Sequence, residues 1–185
     1  MRIQQEGESK LLWYPARSAF RAGFLQANDH FWDYGNLGYY SFASGERTQA
    51  SNTGSTAMGS ITVASGLYSI ALGYASKASG DYTIAMGYAA VASCHYSTAV
   101  GFNTTASGRN STAVGINSRA RSFAETAIGC YNTDYTPTSA SAWSATDRIF
   151  SIGNGTDFYL QSDALVMLKM VIPDLVLVTL QRNLK

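Results

Sequence analysis

At 185 residues the chain suffices for one domain, yet only 14% of it is charged, against roughly a quarter in ordinary soluble domains. Its 13 basic and 12 acidic residues leave a net charge of +1, which excludes the basic excess that holds a nucleic acid backbone. Gly, Ala, Ser, Thr and Tyr replace the charges, and 46% hydrophobic content with 12% aromatics excludes a disordered low-complexity chain.

Residues 1–38 form the first segment. Its opening, MRIQQEGESK, is polar and charged, so no secretory leader is read there; export and anchoring signals are expected outside this chain or on a partner. The stretch Leu11–Gly38 follows no repeat. Its aromatic cluster, Trp13, Tyr14, Phe20, Phe31 and Trp32, is expected to cap the open end of the element that follows.

Residues 39–131 are that element. Alanine occupies thirteen consecutive positions at a spacing of seven: 43, 50, 57, 64, 71, 78, 85, 92, 99, 106, 113, 120 and 127. Glycine recurs every fourteen residues at 45, 59, 73, 87, 101, 115 and 129, with Gly66, Gly80 and Gly108 half a period away. The unit is therefore fourteen residues with two similar halves. A coiled coil would also repeat every seven, but Gly, Ser and Thr are weak helix formers and only one tiny apolar residue recurs per heptad. With period two, each half is a short strand. In Ser69–Gly73 one face carries Ser69, Ala71 and Gly73, and the other carries Ile70 and Leu72. Ser76–Gly80 has the same small face and a polar opposite face.

These patterns predict a flattened parallel β-solenoid, with two strands per turn stacked at about 4.8 Å. The small face points inward, so Ala57, Ala64, Ala71, Ala78, Ala85, Ala92, Ala99, Ala106, Ala113 and Ala120 are the expected roll interior between two close sheets. Glycine is expected to end each strand where the chain bends, with positive φ. One outward face then presents Met58, Ile70, Leu72, Ile84, Met86, Val100, Val114 and Ile128, interleaved with threonines. The other presents Gln49/Ser51, Val63/Ser65, Lys77/Ser79, Val91/Ser93, Thr105/Ser107 and Arg119/Arg121. An apolar stripe about 29 Å long is too large to leave in water. It is the expected interface of a symmetric homo-oligomer. Tyr40, Tyr68, Tyr82 and Tyr96 form a ladder at one roll edge, expected to pack between chains.

Residues 132–169 leave the repeat. Gly153-Asn154-Gly155 lacks the strand–GxxxxGK[ST]–helix setting of a phosphate loop and reads as the turn of a hairpin. No apolar run reaches the ~18 residues of a membrane helix, so no membrane insertion by this segment is expected.

Half-units such as Asn110–Ala120 (NSTAVGINSRA) and Tyr68–Gly80 (YSIALGYASKASG) resemble the head repeats of YadA-like trimeric autotransporter adhesins. The resemblance spans about residues 36–131. It implies an all-β, left-handed parallel β-roll of fourteen-residue coils, three chains about a threefold axis, a place at the bacterial cell surface, and attachment to a host matrix protein or glycan. No coiled-coil stalk or anchor barrel is read in these residues, so the chain is expected to be a fragment or a different carrier of the same head. After Lys169 the composition changes. Codons compatible with residues 170–185, read one base out of frame, spell KNGDTGFGISNPTKEL, which resembles the LKNG-x-x-G-I-G continuation common after such heads. Residues 170–185 are therefore expected to be a frameshifted tail.

Catalytic chemistry finds little footing. The two histidines, His30 and His95, have no triad or metal cage beside them in sequence. Cys94 and Cys130 lie about 2.6 coils apart, roughly 12 Å along the roll and beyond disulfide reach. An enzyme on surface polysaccharide needs paired carboxylates, and the coils hold only Glu46, Asp81 and Glu125. No cofactor, metal or catalytic residue is expected. Two readings stay open: an adhesive head that binds a ligand, and a rigid spacer in a tail fibre or surface fibre.

Overall fold

The computed structural model describes residues 7–170; the tail reading falls, from residue 171 onward, outside the described residues. Strands β1 (Glu8–Tyr14) and β2 (Ala19–Leu25) form an antiparallel hairpin, and a short 3-10 turn at Pro15–Arg17 reverses the chain between them. A second 3-10 turn, Tyr34–Asn36, precedes the coils.

In each coil a five-residue strand is followed by a two-residue strand. They are β3 and β4 (Phe42–Glu46, Gln49–Ala50), β5 and β6 (Thr56–Ser60, Val63–Ala64), and β7 and β8 (Ile70–Tyr74, Lys77–Ala78). Then come β9 and β10 (Ile84–Tyr88, Val91–Ala92), β11 and β12 (Thr98–Phe102, Thr105–Ala106), and β13 and β14 (Thr112–Ile116, Arg119–Ala120). β15 (Thr126–Cys130) adds one more long strand. A non-repeating stretch leads to β16 (Arg148–Asn154) and β17 (Asp163–Leu168), an antiparallel hairpin.

Two sheets result, an eleven-stranded one in the order β1-β2-β3-β5-β7-β9-β11-β13-β15-β16-β17 and a six-stranded one in the order β14-β12-β10-β8-β6-β4. The coil strands pair in parallel with a shift of one unit, Ala71 against Ala85 and Ala85 against Ala99. The fold is thus an all-β parallel solenoid of about six fourteen-residue coils. Its register runs past both ends of the repeat: Gly23 pairs with Gly45, and Gly153 pairs with Gly129.

The core is a column of alanines. Every repeat alanine from Ala43 to Ala127 is fully buried, and beside each lies a second buried residue two positions earlier, almost always Ser or Thr. Several of these hydroxyls donate to the carbonyl three residues back at the corner, as Ser69 does to Gly66 (2.7 Å) and Thr83 to Gly80 (2.7 Å). A hydroxyl so bonded can be buried at little cost. It is also small enough to let two sheets meet across single side chains.

Two expectations about glycine are corrected. Gly73 does not share the inward face with Ser69 and Ala71; it is exposed. Its φ of +104° breaks the two-residue alternation after the alanine, turning the strand's end away from the interior. Nor does glycine make the corner turns. The corner residues lie in the left-handed region every seven positions, and nearly all carry side chains: Ile61, Tyr68, Ala75, Tyr82, Ala89, Tyr96 and Asn103, with φ between 50° and 61°. Bonds between coils hold them there, since Tyr68 N–H donates to Thr53 O (2.8 Å) and Ala75 N–H to Ser60 O (2.9 Å). Stacking therefore imposes a conformation that side-chain residues ordinarily avoid.

Candidate functional site

The outer face of the large sheet gathers what the coils leave unburied. Ile70, Leu72, Ile84, Val100 and Ile128 are half-buried, and Met58, Met86 and Val114 are exposed. They stand in rows: Thr56-Ile70-Ile84-Thr98-Thr112-Thr126 in one, Met58-Leu72-Met86-Val100-Val114-Ile128 in the next. Between positions 54 and 130 no charged residue enters a long strand, whereas the small sheet carries Lys77 and Arg119, with Arg121 just past its last strand.

Ring stacks border this face on both sides. At the corner entering the long strands, Tyr68, Tyr82 and Tyr96 stack with centroids 5.6 and 5.2 Å apart and planes within 14°. Tyr40 does not join them, because Gly54 holds the intervening place and Tyr68's ring lies against it. A second stack was not anticipated: Tyr74, Tyr88 and Phe102, with centroids 5.1 and 4.8 Å apart. These three are the last residues of β7, β9 and β11, and Ile116 continues the row. Their spacing of fourteen was legible in the sequence, and period-two alternation from Ile70 and Leu72 places Tyr74 on the outer face with them. In each of the six stacked residues about half of the surface is exposed.

The roll's ends are closed by buried charge, also unanticipated. At the first coil Arg21 takes the register of the alanine column, opposite Ala43, and is fully buried. Its guanidinium donates to Phe20 O (2.7 Å), Ser41 O (3.0 Å), Ser41 Oγ (2.8 Å) and Ala50 O (2.8 Å), adding to the backbone N–H groups of Phe20 and Gly38 that Ser41 O and Ala50 O also accept. Burial lowers its pKa to about 10. Of the aromatic cluster, Trp32 is buried with Nε1–H donating to Thr48 O (2.8 Å), Tyr14 donates to Trp32 O (3.0 Å), and Phe20 stacks on Phe42 (5.3 Å). Trp13 stays exposed.

At the last coil Glu125 fills the Ser/Thr position. Its Oε2 accepts from the N–H groups of Arg121 (2.8 Å) and Ser122 (2.9 Å) and from the Tyr135 hydroxyl (3.1 Å), while Oε1 is buried without a partner. Burial pushes the Glu125 carboxyl above the usual range and Tyr135 to about 12. Lys169, nearly buried, donates to Ser122 Oγ (2.8 Å), and burial lowers its pKa. Asp147 accepts from the N–H groups of Thr138 (2.7 Å) and Ser139 (3.0 Å).

A cleft of about 390 Å³ lies over the C-terminal hairpin, lined by Thr133, Tyr135, Thr146, Arg148, Asp163, Leu165, Val166 and Leu168. Its single carboxylate, Asp163, lies 3.4 Å from Arg148 and accepts from the N–H and hydroxyl of Thr133. Among the described residues no group of three or more His, Cys, Asp or Glu is placed to hold a metal. His95 is an exposed corner residue whose Nδ1 accepts from Asp81 N–H (3.2 Å). Cys94 and Cys130 are both free. The Gly153-Asn154-Gly155 turn is corrected: Gly153 and Asn154 lie in β16, where Gly153 extends the glycine row, and the reversal comes after Gly155.

The model of the YadA head domain repeat (2 copies) matches residues 37–60, 64–90 and 92–118. Residues 37–118 are a YadA-type head domain. The matched stretches run from just ahead of β3 to just past the end of β13, so the alanine column from Ala43 to Ala113 and the uncharged face as far as Val114 lie in the head. YadA-type heads are modules of surface-exposed autotransporter adhesins, a structural and adhesive class. A search of curated proteins finds no match.

Proposed function

We propose that this chain is the non-enzymatic, adhesive head of an extracellular trimeric fibre, displayed at a bacterial surface and attaching to a host matrix protein or glycan. The observation that carries the reading is the uncharged outer face of the large sheet. It runs about 29 Å along six coils and about 17 Å across the five residues of each long strand, roughly 490 Å² per chain before surface relief is counted. That is toward the upper end of the apolar patch a monomer leaves in water, and the ring stacks that border it bring the face toward the ~800 Å² per partner of a stable protein interface. Closing such a face symmetrically about an axis along the roll gives a homo-oligomer, and the head family supports three chains.

Light scattering over a range of concentrations tests the assembly. The expected mass is that of three chains, and the Ile84→Asp/Met86→Asp variant is expected to run as one. A stable monomer of the unaltered chain sinks the reading. A second reading, a rigid spacer with recognition elsewhere in the fibre, fits the same architecture. Binding of the purified trimer to immobilised matrix proteins and glycan arrays separates the two: retention supports the adhesive head, and none across the panel supports the spacer.

A further inference from the structure

The two ring stacks lie at opposite ends of the long strands. Tyr82 stands at the corner before β9 and Tyr88 ends it, so the five residues of that strand, about 17 Å, set the stacks apart across their own sheet. Both remain about half exposed, although tyrosine and phenylalanine rings gain most when covered.

We infer that each stack is half of a seam between chains: Tyr68, Tyr82 and Tyr96 of one chain pack against Tyr74, Tyr88 and Phe102 of the next. The inference rests on the trimeric reading above and adds which edges meet. Rotation about an axis parallel to the roll brings the leading edge of one face to the trailing edge of its neighbour, a heterologous contact that closes into a ring. Rotation leaves heights unchanged, so Tyr82 meets the ring of its own coil, Tyr88, in the neighbour.

A second copy fits this place better than any other occupant. The rings repeat at 4.8–5.6 Å over three coils, and a partner built on the same coil keeps step with them ring for ring. The roughly 490 Å² of uncharged face falls short of a standard interface half, and the half-exposed rings at its two borders supply area toward the difference. Aromatic enrichment with charge depletion is also the composition of an interface centre.

The test uses the full chain with Cys94→Ser and Cys130→Ser, then Tyr82→Cys and Tyr88→Cys singly and together, treated with a short bismaleimide. The seam predicts a covalent trimer from the double variant and uncross-linked chains from each single variant. Covalent dimers from a single variant mean that like edges meet, which overturns it. An uncross-linked double variant that still scatters as a trimer also overturns it, while the trimeric reading survives. If the thiols themselves break the assembly, brief photo-oxidation of the unaltered chain decides. Chain-to-chain dityrosine is expected to fall sharply in the Tyr74→Phe/Tyr88→Phe variant, which keeps the rings, and an unchanged yield overturns the seam. A parent chain that is monomeric defeats the trimeric reading, and the seam with it.

Discussion

Alanine and glycine do different work in this roll. Alanine fills an interior with room for one small side chain. Glycine in the long strands is required by backbone approach: a Cβ on Gly87 would lie 2.1 Å from Gly101 O, at a φ of +126°. No side chain can move to relieve that clash, because the obstacle is backbone. Gly87→Ala is therefore expected to cost more than about 3 kcal/mol, read as a lowered denaturation midpoint. The corner residues point the other way. Ile61 is a β-branched residue held at φ 59°, with its side chain exposed, so Ile61→Asn is expected to raise stability by about 1 kcal/mol in the same measurement.

At the scale of elements, the ends show how a solenoid stops. A last coil presents unpaired strand edges, and here hairpins with buried charge close them, Arg21 at one end and Glu125 with Lys169 at the other. Glu125 makes the C-terminal closure pH-dependent. Its folded pKa is raised above the unfolded value of about 4.3, so the folded state holds the proton more tightly. The stabilising contribution is full below about pH 4.3 and is lost as pH rises through the folded value. Glu125→Gln keeps an acceptor for the Arg121 and Ser122 N–H groups and puts an amide where Oε1 has no partner. The variant is expected to be more stable than the unaltered chain at pH 7, with the difference gone near pH 4, as compared by denaturant midpoints. These closures were not legible in the sequence. Arg21 stands in a stretch with no visible repeat, and its alanine register appears only when β2 pairs with β3. Glu125 is in register, but nothing in a linear pattern says that the roll stops at its coil.

For the whole molecule, the proposed assembly rests on a face without charge, so its association has no salt-screened term to lose. Raising sodium chloride from 0.05 to 1 M is expected to leave the oligomer's dissociation on dilution unchanged or weaker, followed by light scattering. A salt-induced fall to single chains would contradict an apolar interface.

The coil length, the two strands per coil, the alanine interior and the apolar rows were legible in the residues alone, because each coil repeats the same local requirements and a period of fourteen exposes them. The second ring stack was legible too: Tyr74, Tyr88 and Phe102 recur every fourteen residues, and alternation from Ile70 and Leu72 puts Tyr74 on the outer face. Only the tertiary structure decided that their rings stack from coil to coil and that the glycine before each leaves the inner face at positive φ, held by backbone contact with the next coil. It also decided the corners and the ends. There the conformation is imposed by hydrogen bonds between residues about fourteen or more positions apart, which no local preference encodes.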